Sequence, residues 1–348
     1  MRILTTHNKR NHPQWLQRAE LLPGWQADVE RNFLILRASS RSRLFRDLKW
    51  AWRFFRASKH YDALLTGSER LALIVALMQR FIRGKRRVPH VLLECMWTLP
   101  QGRFAQWKRR LLLRWVMGAT DRIVVYARHQ IDEYANAFGI SRDKFVFIHS
   151  HTTLYGAVYA ATSGDYIFSG GYTNRDYPTL LEAVRGLPYR LILCVRSKRA
   201  LGRDVPENVE VFENISEDQF NRLMAASAFV VVPLKGGVLE AGGRQVFQNA
   251  MAMGKAVVVT DTSATDYITH DLNGILVPAD SPGRLRAAIV NLMDNVGFAE
   301  KLGVEARKVA PQFTPEQFFE RMFATVEESA RPKEVAADDA TVKTAAGA

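Results

Sequence analysis

Short runs of β-branched and aromatic residues, each separated from the next by a helical pattern, constrain this chain more than any other feature. In the first half the runs fall near residues 2–6, 62–66, 88–94, 121–126 and 144–149. After a loop around 150–164 the alternation restarts with YIFSGG, YRLILCV, VEVFE and AFVVVPL, interleaved with RDYPTLLEAVRGL and SEDQFNRLMAAS. Such alternation predicts parallel sheets covered by helices, the α/β class. The restart, in a chain of 348 residues, predicts two domains, 1–150 and 151–330. SPGRLRAAIVNLMDN, GFAEKLGVEARKVA and TPEQFFERMFATVEES read as closing helices, the last able to cross back to the first domain. Residues 331–348, rich in Ala, Lys, Asp and Thr without periodicity, read as a disordered tail.

No apolar run reaches the roughly 20 residues that span a bilayer. The opening MRILTTHNKRNHPQWLQR lacks the apolar core of a secretory signal, so a cytoplasmic protein is expected. Cys95 and Cys194, in LLECMW and LILCVR, read as reduced core thiols and have no metal-binding spacing. Charge is divided unevenly. Residues 1–150 hold 28 Lys and Arg against 11 Asp and Glu, a net of +17, and the remainder carries −4. The first half therefore suits an anionic partner: membrane, substrate or nucleic acid.

EAGGRQVFQNAMAMGKAVVVTD follows the run AFVVVPL and reads as loop, helix, glycine stop and strand. In open α/β sheets ligands bind beyond the carboxyl ends of strands, where a helix N-terminus offers free N–H groups to an anion. Gly242 and Gly243 would let backbone approach a phosphate, and Arg244 would add a fixed charge. A glycine turn with a solvated arginine accounts for the same letters, so this stretch alone decides nothing.

The ordered set SGGYTNRDYPTLLEA, AFVVVPL, GGRQVFQNAMAMGKAVVVTD, NGILVPADSPGRLRAAI resembles the C-terminal domain of glycosyltransferase family 4, the group 1 glycosyltransferases. The resemblance is specific over roughly residues 165–295 and loose in the first half. It implies the GT-B fold, two Rossmann-like domains facing across a cleft, and a nucleotide-diphosphate sugar as donor. It implies donor contacts from Gly170, Gly171, Arg175, Gly242, Gly243, Arg244, Gln245 and Asn249. Arg175 and Arg244 would neutralise charge on the leaving diphosphate, with no metal and no cofactor beyond the donor itself. Retention of anomeric configuration also follows from the resemblance. Two departures stand out. The family's pair of glutamates eight positions apart falls here on Ala241 and Asn249, with Glu240 one step early, and Ala256 replaces a customary proline. Asn249 can hydrogen-bond a ribose but carries no charge. The loss leaves open an active transferase or a catalytically silent sugar-nucleotide-binding subunit.

In the first half, SRSRLFRDLKWAWRFFRAS (residues 40–58) is amphipathic. At 100° per residue Leu44, Leu48, Ala51, Trp52 and Phe55 share one face and Arg46, Lys49, Arg53 and Arg56 the opposite one, with Trp50 and Phe54 beside the basic arc. An ordinary packed surface helix explains the apolar face. The aromatics among arginines suggest docking on an anionic membrane, through Trp50, Arg53 and Phe54 and, from RFIRGKRR, Arg86 and Arg87. WKRRLLLRW (residues 107–115) adds charge and tryptophans. A lipid-linked or surface-glycan acceptor fits that reading. His7, His149 and His151 are acceptor-side or hinge candidates, although a structural histidine is the commoner case. Glu94, at the end of a strand, is a candidate acceptor contact or base. Nucleic-acid binding remains the rival reading of the charge, without a recognisable recognition module.

Overall fold

Chains that alternate short apolar runs with helices can satisfy their strand backbones only by pairing in parallel, and this one does so twice. The computed structural model describes residues 3–5, 43–67, 69–93, 95, 97, 100–159, 161–201, 204–238, 242–262 and 266–331. Two units divide the chain, the first comprising residues 1–126, 130–148 and 319–348 and the second 127–129 and 149–318.

The first unit holds a parallel sheet in the order β1-β2-β3-β4-β5: Ile3–Thr5, Ala63–Thr66, His90–Leu92, Arg122–Val125 and Phe145–Phe147. Its helices are α1 (Arg43–Ala57), α2 (Glu69–Met78), α3 (Arg103–Val116) and α4 (His129–Phe138), with a π-helical turn at Gln79–Arg83. Helix α1 corrects the expectation for Phe54. Its buried side is Ala51, Phe54 and Phe55; Ala51 and Phe54 pack with Leu4, Leu64, Leu71 and Val75, and Trp50 stacks on Phe54 at 6.3 Å. Phe54 is 6% exposed and Trp52 45%, so the helix is rotated from the expected face and its exposed large apolar residues are Leu48 and Trp52. The apolar arc was wide enough for either side to be the buried one, and contact with α2 and the sheet selects Phe54 over Trp52.

Arg87, also expected at the membrane, is engaged within the protein. It forms a bidentate pair with Asp121, at 2.6 and 2.7 Å, and donates to the Ala119 carbonyl at 3.0 Å. Asp121 accepts in turn from the His90 amide at 2.9 Å. Arg53 and Arg86 are exposed. The His90 ring is fully buried, 2.9 Å from Thr66 Oγ1, and desolvation holds it neutral down to about pH 4.

The second unit holds a six-stranded parallel sheet in the order β11-β10-β9-β6-β7-β8. The strands are β6 (Tyr166–Gly170), β7 (Arg190–Val195), β8 (Val209–Glu213), β9 (Phe229–Val232), β10 (Val257–Thr260) and β11 (Ile275–Val277). Its helices are α5 (Tyr177–Val184), α6 (Glu217–Ala225), α7 (Arg244–Ala252), α8 (Pro282–Asp294) and α9 (Val296–Val309), while α10 (Pro315–Ala330) begins here and passes into the first unit at Phe319. Alternate residues enter different cores, as the two-residue period of a strand requires. Ile167, Leu191, Leu193, Phe229, Val231 and Val258 meet Leu180, Leu285, Ile289 and Leu302 on one face. Phe168, Ile192, Cys194, Val230, Val232 and Val259 meet Met224, Phe247 and Met251 on the other. Both cysteines are buried and outside any disulfide, and burial raises the Cys194 thiol to about 12. Among the described residues no helix is long and apolar enough to cross a membrane.

Candidate active site

Strand β6 has β7 on one side and β9 on the other, so the chain winds outward from β6 in both directions. Beyond the carboxyl ends of β6 and β9 lies the place where successive connections diverge and leave a crevice. The two glycine segments picked out in the sequence are the loops that leave these two strands.

The first loop leaves β6 through Gly170. A Cβ there would run into the Phe220 ring and come within 3.3 Å of Cys194 Cβ. Gly171 and Asn174 then take positive φ, +109° and +53°. Asp176 caps α5 by accepting from the Thr179 amide at 3.3 Å, and Pro178 occupies the first turn. Arg175 does not stand out from this turn. It is buried, its Nε donates to the Gly170 carbonyl at 3.0 Å and its Nη1 to the Thr173 carbonyl at 2.8 Å. Desolvation lowers its pKa from the usual guanidinium range. Tyr177 donates to the Gly171 carbonyl and is raised to about 12 by burial. In this conformation Arg175 and Tyr177 fix the shape of the loop from inside.

The second loop leaves β9 through Pro233 and Leu234. The Leu234 amide donates to Thr260 Oγ1 at 2.9 Å. Backbone bonds tie the two loops together: Asp176 N to Pro233 O at 3.1 Å and Lys235 N to Asn174 O at 3.0 Å. Gly242 reaches the first loop as well, since a Cβ there would lie 3.2 Å from Asn174 Cβ and 3.5 Å from the Thr173 carbonyl. Gly243 caps α7 in the left-handed conformation, φ +76°, where a side chain would press on Val232 and Leu234 at 2.8 and 3.0 Å. Glycine is therefore required for both conformation and space. Helix α7 opens with Arg244, partly buried, and Gln245, exposed. Burial raises the Tyr267 phenol and outweighs the nearby Arg244 charge, which opposes that shift.

Further along α7 the structure departs from the expected donor contacts. Asn249 is buried, with its Oδ1 accepting from the Thr153 amide and its Nδ2 donating to Thr153 Oγ1, both at 2.9 Å. Gln248 beside it donates to the Ser150 carbonyl at 2.7 Å and accepts from Ser150 Oγ at 3.0 Å. The adjacent amides thus clamp the segment that begins the second unit, and Asn249 spends its side chain on that segment where a ribose contact was expected. Sequence reading missed Gln248. Its signal was two neighbouring amides in an otherwise small and apolar helix, VFQNAMAM.

The histidine candidates belong to the same packing. His149 Nε2 lies 3.2 Å from the Asp266 carbonyl, and its ring meets Tyr267 and Phe313 at 5.2 and 5.4 Å. His151 Nδ1 lies 2.7 Å from the Thr152 carbonyl, and its ring packs on Phe318 at 4.7 Å. Asp266 braces a turn by accepting from the Arg128 amide at 2.6 Å. His7 and Glu94 lie outside the described residues. Among the described residues no group of three or more metal-ligating side chains comes together.

The chain is similar to known proteins in part of its sequence and in its fold. Residues 168–295 match the family model described as Glycosyl transferases group 1. The fold is similar to that of a glycosyltransferase from Rickettsia africae ESF-5, at TM-score 0.70 and 14% identity over 95% of this chain and 98% of that one. Sucrose-phosphate synthase from Thermosynechococcus elongatus is similar at TM-score 0.70 and 15% identity over 94% and 98%. HepE of Anabaena, solved in complex with UDP, is similar at TM-score 0.67 and 16% identity over 80% and 82%. No curated protein matches the sequence. These solved neighbours give the chain the GT-B fold. The match to the group 1 model falls in the second unit, where the motifs implied it.

Proposed function

We propose that the chain transfers a sugar from a nucleotide-diphosphate donor to an acceptor that is lipid-linked or part of a surface glycan, working at the inner face of an anionic membrane. The carrying observation is the convergence of two glycine loops on the carboxyl ends of β6 and β9, with α7 opened by left-handed Gly243. A helix N-terminus that begins at a glycine turn accepts a phosphate without steric competition. Arg244 stands at the first position of that helix. The solved complexes of HepE with UDP and UDP-glucose make UDP the nucleotide to test first.

In the reaction the bond between the anomeric carbon and the diphosphate oxygen breaks, and the acceptor oxygen bonds to that carbon. The acceptor proton passes to the departing phosphate, which leaves as nucleoside diphosphate, with retention as the expected outcome. Negative charge grows on the leaving group, where the first-turn amides of α7 and Arg244 stabilise it without a metal. Arg175 acts as a positioning residue by holding the Gly170–Gly171 turn. Arg244→Ala should lower turnover about 100-fold or more, with release of free UDP from a UDP-sugar in the presence of a membrane extract as the readout. Undiminished release by the variant would contradict this assignment.

A second reading has its own observation. Asn249 replaces a carboxylate and spends its amide on Thr153, which favours a silent subunit that binds a sugar nucleotide. Binding without UDP release would select it.

A further inference from the structure

Helix α3 of the first unit buries only one side. Leu113 and Val116 turn inward, and Arg109 pairs with Glu69 at 3.0 Å. Elsewhere the helix exposes large apolar residues: Phe104 (67%), Trp107 (54%), Leu111, Leu112 and Trp115. At 100° per residue Phe104, Trp107, Leu111 and Trp115 fall within about 80° of one another, a stripe along the length of the helix. Phe81 and Ile82 of the π-helical turn extend it, both exposed, with the Phe81 ring 5.0 Å from Trp115. Isolated exposed hydrophobic residues are ordinary, whereas a continuous ridge marks an interaction surface.

Cations border this ridge. Arg103, Arg110 and Arg114, all exposed, follow one edge of the stripe. Lys108 lies 4.4 Å from the Phe104 ring centre and Arg80 5.0 Å from that of Trp115. Between Glu69 and Asp121 the sequence contains a single acidic residue, Glu94. A second copy of the chain fits this face poorly, because a self-complementary contact sets the arginine edge against its like. Tryptophans and basic side chains flanking an apolar helical stripe match the boundary between lipid headgroups and acyl chains.

We propose that α3 with the 79–83 turn is the membrane-docking surface of this protein, lying in the plane of an anionic bilayer with Trp107, Leu111 and Trp115 inserted and Arg103, Arg110 and Arg114 on lipid phosphates. It deepens the membrane part of the functional reading and is independent of the donor site. The surface differs from the α1 face that the sequence suggested.

Flotation of the full chain with phosphatidylcholine vesicles, with and without phosphatidylglycerol, tests it. The wild type should float with the anionic vesicles only and be released by salt. Trp107→Ser/Leu111→Ser should lose binding about tenfold or more through its apolar area. Arg103→Glu/Arg114→Glu should do the same through charge. Trp52→Ser on α1, exposed and off the ridge, should bind as wild type. Brominated lipids should quench wild-type tryptophan fluorescence and quench Trp107→Phe/Trp115→Phe far less. Because all substituted side chains are exposed, unchanged melting is expected and checks folding. No flotation with either vesicle overturns membrane docking altogether, including the case where the ridge instead captures an acidic protein. Flotation that survives both ridge variants overturns this surface while leaving the membrane reading intact. A UDP-induced thermal shift reports on the donor site separately.

Discussion

Gly170, Gly171, Gly242 and Gly243 shape the second unit's site through the side chains they lack, whereas the first unit's distinctive residues, Phe104, Trp107, Leu111 and Trp115, are large and stand outside its core. A backbone turn that must pass within 3 Å of its neighbours admits only glycine, so such a site is written in a fixed residue type at a fixed spacing. An exposed ridge is defined by what fails to cover it. Helices α1 and α3 illustrate this, since both are rich in arginine, tryptophan and phenylalanine, yet α1 turns Phe54 inward and α3 leaves Phe104 in solvent. Composition announces that such a face exists, and neighbouring elements decide which side it is.

The largest way to break this contrast is Gly243→Val. Its left-handed φ of +76° and the 2.8 Å approach to Val232 should together cost about 2–4 kcal/mol. Thermal unfolding should show the loss, together with loss of any nucleotide-induced stabilisation. Unchanged melting would mean that the backbone at this position is not constrained as described.

Acid sensitivity should belong to the first unit. His90 is buried and titrates at about 4 in the folded chain against 6.5 when unfolded. Between those values the unfolded chain binds the extra proton, so stability present above pH 6.5 is lost as pH falls towards 4. The effect reaches up to about 3 kcal/mol for a fully buried imidazole. Denaturant titrations of His90→Gln across this range should give a flatter pH profile than wild type, and an equally steep one would remove His90 from the account.

The smallest expected effect sharpens the comparison inside α7. Asn249→Ala and Thr153→Ala should each cost about 1 kcal/mol, and the double variant should cost less than their sum because the pair shares its bonds. Additive losses in a double-mutant cycle would show that Asn249 has other work.

Much of the fold was legible. The ten or so apolar runs became strands near their expected places because parallel strands buried on both faces need continuous β-branched sequence, as in FVVV at β9 and VVVT at β10. The glycine loops were legible for the reason given above. Three matters were not. Arg175 carries charge that suggests an outward contact, but two carbonyls of its own loop hold it inside. Asn249 sits at a family position, yet its partner Thr153 lies 96 residues away, a distance no local pattern reports. The buried side of α1 depended on α2, which follows it in the chain and packs on Phe54 through Leu71 and Val75.

The proposed transfer requires a nucleotide-diphosphate site at the two glycine loops and the start of α7. Thermal-shift titration of the purified chain with UDP, GDP, ADP and CDP, beside Arg244→Ala, tests it most directly, since a ligand that binds only the folded state must raise its stability. We expect one nucleotide, UDP first, to raise the melting temperature of the wild type and to do so much less in the variant. A cooperatively melting protein that no nucleotide stabilises would rule out a nucleotide-diphosphate site at these loops.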